Sequence, residues 1–391
     1  MQSVSDANSV RRETDGLTAP MEFDSLPLIS ADSHVEEPRD LWAKNLPPSL
    51  VENLAPELRD GHSPSGSFAD RIGVENLQRI DALTRSDDAV EMQSMADLTT
   101  DPERRLAVMR QDGIAGECIY PTMGLYVWNA ESREAGEAAC RLYNDWIFDR
   151  LERRSSRFRC AAMIPTWDVG AAIAEIRRTA AMGLAAALLP LVGTPEYNHR
   201  DWESLWNELD EIGMPVVMHQ GTGHSMLFYR GPGAAVANLL ATQSMAPRGA
   251  TLLATSGVLA AHPDLHFVFV ETNASWLAWA MNTADHYDRA FRQYPGWVRP
   301  ELREKPSVYM ARQIHGTFQY DPVAVASIAQ TGSDPLLWGS DFPHAEGTYP
   351  HSRASVAEQF AGVAEEQVAR MVGGTAAKLF GFAPEVSNTP V

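Results

Sequence analysis

Lysine is almost absent from this chain of 391 residues, which contains only Lys44, Lys305 and Lys378. Acidic residues outnumber lysine and arginine by 51 to 32, so the formal net charge is −19. A negative surface repels phosphate backbones and anionic lipid headgroups. We therefore expect a soluble protein that binds neither nucleic acid nor membranes.

Cysteine is equally scarce, and Cys118, Cys140 and Cys160 form no CxxC pair. This excludes a disulfide framework and zinc-knuckle spacing, and it favours a reducing cytoplasm. No apolar run approaches the length of about 18 residues that suggests a transmembrane helix. The chain does not open with a basic segment followed by an apolar run, so we expect no signal peptide.

The remaining sequence predicts a mobile N-terminal arm and one large α/β domain. Residues 1–26 are polar and aperiodic, whereas in residues 27–391 short apolar runs alternate with amphipathic helical patterns such as 131–153 and 354–379. The predicted strands are Leu28–His34, Ile114–Tyr120, Arg159–Ile164, Leu184–Pro190, Pro215–His219, Phe267–Glu271, Ser307–Met310 and Leu336–Asp341. Eight strands separated by helices are typical of a (β/α)8 TIM barrel.

Two predicted connections are longer than ordinary loops of a barrel. Residues 38–100 follow the first strand, and residues 220–250 follow the fifth. Long loops at the active face often form lids or substrate walls. The second connection contains four glycines around an apolar cluster, which suits either a hydrophobic lid or a surface loop packed on the core.

The first predicted strand carries three residues of metal-ligand type. Side chains alternate between faces of a strand, so Asp32, His34 and Glu36 are expected to point the same way. Burying them without partners would cost several kcal/mol each, and a metal ion would remove that cost. The alternative is a strand that ends early and leaves His34 and Glu36 in solvent.

Other predicted strands also end in ligand-type residues. His219 ends the fifth strand, Glu271 ends the sixth, and Asp341 ends the eighth with His344 close behind. Alone, each has an ordinary explanation as a core histidine, a helix cap or a turn residue. Together they lie at the face where barrel enzymes build their sites, so a metal site is predicted there.

These segments resemble the amidohydrolase-related TIM barrels, in the branch that contains aminocarboxymuconate-semialdehyde decarboxylase and the resorcylate-type decarboxylases. The resemblance rests on Ile29–Pro38, Pro215–Gly221, Gly257–Glu271 with its Ala-His-Pro-Asp-Leu segment, and Trp338–His344. It implies that one divalent metal is held by Asp32 with His34 (or His34 with Glu36), by His219 and by Asp341. Members commonly form dimers, so a homodimer is expected.

The sequence also departs from the pattern of that family. The first strand has an extra carboxylate, the sixth ends in Glu271, and no lysine lies near the fourth strand to bridge two metals. The seven ligand candidates would suffice for two metals, bridged by Glu271, Glu36 or Asp341. In this the chain resembles a subgroup that includes a non-haem diiron monooxygenase of platensimycin and platencin biosynthesis.

Three functions follow as hypotheses. The first is a diiron monooxygenase that uses two Fe ions, dioxygen and an electron donor to hydroxylate a hydrophobic diterpenoid or acyl substrate, including a CoA-linked one. The second is a mononuclear Zn or Mn decarboxylase or hydrolase, and the third is a barrel without catalysis that serves as a scaffold. The extra carboxylate, Glu271 and the missing lysine favour the first.

Further residues are candidates for catalysis and substrate binding. Besides the metal ligands, the catalytic candidates are Asp341, His344 and His315. The substrate candidates are Tyr126, Trp128, Phe228, Tyr229 and Trp276, although aromatic clusters of this kind often pack a core instead. Glu37 and Arg39 are expected to face solvent or each other.

Overall fold

The computed structural model describes residues 26–61, 97–226, 228–296, 302–344 and 346–387. The predicted N-terminal arm lies outside these ranges except for Leu26, as does much of the first predicted insertion. Within the described ranges, no helix is long and apolar enough to cross a membrane.

Eight parallel strands form one sheet in the order of the sequence, from β1 to β8. They are β1 Leu28–Val35, β2 Ile114–Pro121, β3 Phe158–Met163, β4 Ala186–Pro190, β5 Val216–His219, β6 Phe267–Val270, β7 Ile314–Phe318 and β8 Leu336–Trp338. Each strand pairs in parallel with the next along the chain. The predicted (β/α)8 TIM barrel is confirmed.

Helices connect and surround the strands. They are α1 Leu41–Asn45, α2 Pro48–Val51, α3 Pro56–Asp60, α4 Pro102–Asp112, α5 Arg133–Arg150, α6 Val169–Met182, α7 Glu203–Ile212, α8 Ala234–Gln243, α9 Met245–Ser256, α10 Val258–Ala261, α11 Trp276–Phe291, α12 Pro306–Gln313, α13 Pro322–Ala326, α14 Ile328–Thr331, α15 Ser352–Gln359, α16 Glu365–Ala369, α17 Thr375–Phe380 and α18 Pro384–Ser387. Local signals fix many of their ends. Asp168 caps the start of α6 by accepting from the Ala171 N–H, and Gly183 ends the helix in a left-handed conformation.

The predicted seventh strand, Ser307–Met310, is wrong because these residues lie in α12. Pro306 occupies the first helical position, where its missing N–H and fixed φ favour a helix start. The strand follows at Ile314–Phe318, where His315 and Thr317 interrupt the apolar pattern. Both polar side chains are buried with hydrogen-bond partners, which explains why the segment is stable as a central strand although its sequence does not read as one.

The barrel closes between β1 and the segment after β8. The Asp341 N–H donates to the Asp32 carbonyl at 2.8 Å, and the His34 N–H donates to the Phe342 carbonyl at 2.7 Å. The two backbone segments approach so closely that a Cβ added to Gly339 would lie 2.4 Å from the Cβ of Asp32. This closure, which we call the seam, places Asp32, His34 and Asp341 beside one another.

We expect Gly339→Ala to destabilise the protein by about 1–3 kcal/mol, because the added methyl group would force β1 and the end of β8 apart. The midpoint of unfolding in denaturant measures the effect. Gly170→Ala in α6 is the matched control, since its new Cβ would meet only a carboxylate oxygen of Asp168, at 3.1 Å. Equal losses in both variants would contradict the close approach at the seam.

Candidate metal centre

Six of the seven predicted ligands converge at the C-terminal ends of the strands. They form two overlapping groups that share His34, and within each group the ligand atoms lie within 4.8 Å of one another. The groups are His34, Glu271, Asp341 and His344, and Asp32, His34 and His219. The register of the sheet brings the neighbours together, since His219 pairs with Val270, directly before Glu271.

The two central histidines face each other with their Nε2 atoms 3.1 Å apart. The Nδ1 atom of His34 lies 2.9 Å from the Pro121 carbonyl, and that of His219 lies 2.9 Å from the Gln220 carbonyl. Because a carbonyl only accepts, Nδ1 carries the proton in both rings. In their neutral forms the two rings point their Nε2 lone pairs at each other, an arrangement that a shared cation stabilises.

Three buried carboxylates surround these nitrogens. The distances from His34 Nε2 to Asp32 Oδ1, Asp341 Oδ1 and Glu271 Oε2 are 3.7, 3.8 and 3.9 Å. Glu271 Oε2 also lies 3.2 Å from His219 Nε2. Asp32 Oδ1 and Asp341 Oδ2 are buried without a hydrogen-bond partner among the described residues. Unpartnered carboxylate oxygens next to imidazole nitrogens fit a divalent metal such as manganese, iron or zinc.

The pKa shifts at the centre reflect the burial and crowding of its carboxylates and imidazoles. Burial raises the pKa of Asp32 well above its usual value, and the charge of Asp341 raises it further. Burial also raises the pKa of Asp341 to about 7, and Glu271 adds to this effect. Burial lowers the pKa of His34 well below its usual value. A divalent cation would favour the ionised carboxylates and the neutral imidazole.

His344 differs from the other two histidines. Burial opposes its charged form, but the hydrogen bond from Nδ1 to Asp341 Oδ1, at 2.9 Å, and the negative charges of Asp341 and Glu271 together raise the pKa of His344 to about 10. Its side chain is partly exposed, whereas those of His34 and His219 are buried. His344 is thus placed at the edge of the centre, paired with Asp341 and open to the cleft.

Glu271 and Asp341 both adopt left-handed backbone conformations, with φ of 57° and 55°. This region is uncommon for residues other than glycine and costs free energy that the surrounding structure must offset. Glu271 directly follows β6 and Asp341 lies three residues after the end of β8, where the chain leaves the barrel. The strained turns aim both carboxylates at the centre.

Two supporting residues escaped the sequence analysis. The Thr317 hydroxyl donates to Asp32 Oδ2 at 3.0 Å and accepts from the Glu271 N–H at 2.8 Å. The Gln220 side-chain amide donates to Glu271 Oε1 at 2.6 Å. The sequence did not indicate Thr317, because the seventh strand was predicted in the wrong place. The position of Gln220 directly after the candidate ligand His219 could have indicated it.

Glu36 belongs to neither ligand group. Strand β1 has irregular register between Ser30 and Ser33 and ends at Val35, so simple alternation does not continue to Glu36. Its backbone N–H donates to the Thr99 hydroxyl at 3.0 Å. The structure therefore places Glu36 beside the centre and does not unite it with the other ligand candidates.

Glu37 is buried, which corrects the expectation that it faces solvent. Its carboxylate accepts the backbone N–H groups of Thr122, Met123 and Gly124 at 3.2, 2.9 and 3.0 Å. These bonds hold the turn between β2 and the 3-10 helix Met123–Asn129. Glu37 thus shapes a wall of the cleft described below.

His315 lies at the opposite end of the barrel from the ligands. It is the second residue of β7, and its Nδ1 lies 2.9 Å from the Asp334 carbonyl. Its Nε2 lies 3.0 Å from Nδ1 of His266, which precedes β6. The structure does not bring this predicted catalytic residue to the centre.

A cleft of about 260 Å³ opens onto the centre. It is lined by Thr122, Met123, Leu125, Tyr126, His219, Gln220, Gly221, Met226, Leu239, Glu271, His344 and Glu346. Apolar side chains form most of its outer wall, and the insertion after β5 supplies Met226 and Leu239. No arginine or lysine from the described ranges lines it.

Of the five predicted substrate residues, only Tyr126 lines this cleft. Trp128 donates to the Ile164 carbonyl, and Trp276 donates to the Asn273 carbonyl and packs on the barrel. Phe228 and Tyr229 are exposed on the insertion after β5. The two tryptophans thus follow the alternative of structural packing.

Comparison with known structures supports the fold across nearly the whole chain. An amidohydrolase from Mycobacterium avium subsp. paratuberculosis is 19% identical and covers 92% of this chain and 99% of its own, with a TM-score of 0.69. A 5-carboxyvanillate decarboxylase from Novosphingobium aromaticivorans is 15% identical over 92% and 98%, with a TM-score of 0.68. A 2,6-dihydroxybenzoate decarboxylase from Rhizobium is 18% identical over 91% and 99%, with a TM-score of 0.62.

Identities this low establish the fold and not the substrate. No curated protein sequence shows significant similarity to the chain. The sequence model of the amidohydrolase family, however, matches residues 32–382. That span runs from Asp32 in β1 to beyond α17 and includes all the candidate ligands of the buried centre. The chain belongs to the amidohydrolase family of metal-dependent TIM-barrel enzymes.

Proposed function

We propose that this protein is a metal-dependent decarboxylase that removes carbon dioxide from a small aromatic carboxylic acid. The proposal rests on the convergence of ligand candidates around His34 Nε2, beside a cleft of about 260 Å³ that His219, Glu271 and His344 line. A cleft below the usual range of about 300–1,000 Å³ suits a single-ring acid. The apolar wall would bind the ring.

The solved structures of similar fold support the same class of reaction. Among them are decarboxylases of 2,6-dihydroxybenzoate and of 5-carboxyvanillate, and the latter enzyme from N. aromaticivorans was solved with bound manganese. A dihydroxybenzoic acid decarboxylase from Polaromonas also contains manganese. This favours the second of the three functions predicted from sequence over the first.

We propose one manganese or zinc ion in the centre, held by Asp32, His34, His219 and Asp341, with Glu271 as a further ligand. The Nδ1 atom of His34 is bonded to a carbonyl, so His34 has a single nitrogen for both ligand groups. That shared atom favours one ion over two. When bound, the metal would supply Lewis acidity toward oxygen atoms of the substrate.

The residues of the cleft suggest how the protein would complete the reaction. The carbon–carbon bond to the carboxylate breaks, carbon dioxide leaves, and the electron pair remains on the ring carbon. That carbon must then take a proton. His344 is placed to donate it from Nε2, because its Nδ1 is bonded to Asp341 and its ring lines the cleft. Met123, Leu125 and Leu239 would orient the ring and exclude water.

The diiron monooxygenase is the second candidate, and the additional carboxylates favour it. Asp32 and Glu271 bring the number of buried carboxylates around His34 to three, and carboxylate-rich sites suit iron. This function would require two iron ions, dioxygen, an electron donor and a hydrophobic substrate. The cleft seen among the described residues is small for a diterpenoid.

Metal content and carbon dioxide release together distinguish the two candidates. We expect about one manganese or zinc ion per chain by elemental analysis, and release of carbon dioxide from 2,6-dihydroxybenzoate or 5-carboxyvanillate without oxygen. Removal of the metal by a chelator should abolish the reaction, and its return should restore it. Two irons per chain with consumption of dioxygen would instead establish the monooxygenase.

A further inference from the structure

Helix α8 contacts both the substrate cleft and the metal centre. Leu239 in its middle lines the cleft, and Thr242 near its end is buried beneath it. Between Thr242 and the centre lies the side chain of Gln220, the residue after His219. Neither Thr242 nor Gln220 belongs to a ligand group.

The three side chains form a buried chain of hydrogen bonds. Thr242, Gln220 and Glu271 have exposed fractions of 1%, 6% and 7%. The Thr242 hydroxyl donates to Gln220 Oε1 at 2.7 Å, and Gln220 Nε2 donates to Glu271 Oε1 at 2.6 Å. Since an ionised carboxylate only accepts, the NH₂ group of Gln220 must point at Glu271, which leaves its Oε1 facing the Thr242 hydroxyl.

This arrangement divides the two oxygens of Glu271 between different partners. Oε1 is bonded to Gln220, whereas Oε2 faces His219 Nε2 at 3.2 Å and His34 Nε2 at 3.9 Å. A free carboxylate in this position could rotate or offer both oxygens. The hydrogen bond from the Gln220 side-chain amide fixes the orientation of the carboxylate and leaves one oxygen directed at the histidines.

We infer that Gln220, oriented by Thr242, is a positioning residue that presents a single oxygen of Glu271 to the metal. The inference rests on the metal centre of the proposed function and does not depend on the reaction or the substrate. Residues that orient metal ligands typically contribute about 10- to 100-fold to metal affinity. Gln220 and Thr242 therefore take part in metal binding without touching the metal.

The strength of the two contributions should differ. The Thr242 hydroxyl has one hydrogen and lies near two acceptors, Gln220 Oε1 at 2.7 Å and the Leu239 carbonyl at 2.8 Å. The hydrogen bond to Gln220 is therefore shared. Loss of the Thr242 hydroxyl should lower metal affinity less than loss of the Gln220 amide. The effect of Thr242 should also disappear when Gln220 is absent, because Thr242 acts through it.

Mn²⁺ titration of the full chain by calorimetry tests the inference. We expect Gln220→Met to weaken Mn²⁺ binding by about 10- to 100-fold and Thr242→Val by a smaller factor, and we expect Thr242→Ser, which keeps the hydroxyl, to restore wild-type affinity. The double variant should match Gln220→Met alone. Thr255→Val in α9, where the lost hydroxyl donates to the Thr251 carbonyl, should bind Mn²⁺ like the wild type.

The electron paramagnetic resonance spectrum of bound Mn²⁺ gives a second readout. It should change in Gln220→Met, because the carboxylate is no longer fixed, and stay unchanged in Thr255→Val. Wild-type affinity and spectrum in Gln220→Met would overturn the inference and leave Gln220 a packing residue. Failure of the wild type to bind metal would overturn the proposed centre as well, whereas metal binding without decarboxylation would refute only the proposed reaction.

Discussion

Replacing His34 with alanine is expected to abolish stoichiometric metal binding and to lower kcat/KM by about a thousandfold or more. His34 belongs to both ligand groups, and its Nε2 is the atom around which the carboxylates gather. Without it the proposed metal loses its central ligand. Once the metal is lost, the transition state loses several kcal/mol of stabilisation. Metal analysis and steady-state kinetics on the same preparation measure both effects.

The matched control is His286→Ala, which removes an exposed imidazole on α11. It should retain full metal content and activity. Circular dichroism would verify that His34→Ala keeps the barrel, since the alanine also leaves a cavity in a buried site. A folded His34→Ala protein that still binds one metal per chain would contradict the assignment of the centre.

Replacing His344 with asparagine is expected to separate metal binding from catalysis. The shorter amide can still donate to Asp341, so metal content should remain near one ion per chain. The loss of the proposed proton donor should lower kcat by about 10²- to 10⁴-fold, the usual contribution of a positioned acid. Elemental analysis and kcat with 2,6-dihydroxybenzoate measure the two quantities.

The result also decides between the two roles open to His344. If it is a ligand instead of an acid, the asparagine variant will lose metal and activity together, as His34→Ala does. If the variant keeps both metal and activity, the proton must come from another group. His286→Ala again provides the comparison, because it removes an exposed imidazole that belongs to neither ligand group.

The barrel was predictable from sequence because its signal repeats. Apolar runs alternate with amphipathic helices along the chain, and seven of the eight predicted strands overlap those of the structure. The exception is instructive. Strand β7 contains His315 and Thr317, whose polarity is compensated by bonds to Asp334 and Asp32. Such partners come from distant parts of the sequence, so no local pattern reveals them.

The grouping of the candidate ligands was partly predictable for a related reason. Asp32, His219, Glu271 and Asp341 lie at or near strand ends, and topology alone brings the ends of parallel strands together. Glu36 depended on strict alternation, which the irregular register of β1 breaks. Gln220 and Thr317 are bonded to Glu271 and Asp32 through tertiary contacts that depend on the folded structure.

The seam has a consequence for how the protein holds its metal. The two backbone bonds that close the barrel at this edge involve Asp32, His34, Asp341 and Phe342, so three of the four residues also belong to the ligand groups. A bound ion would cross-link the first strand of the barrel to the segment that follows the last. Free energy of binding would then strengthen the closure, because an ion that binds only the closed form stabilises it by mass action. Loss of the metal would weaken the closure where the two ends of the barrel meet, at the candidate metal centre.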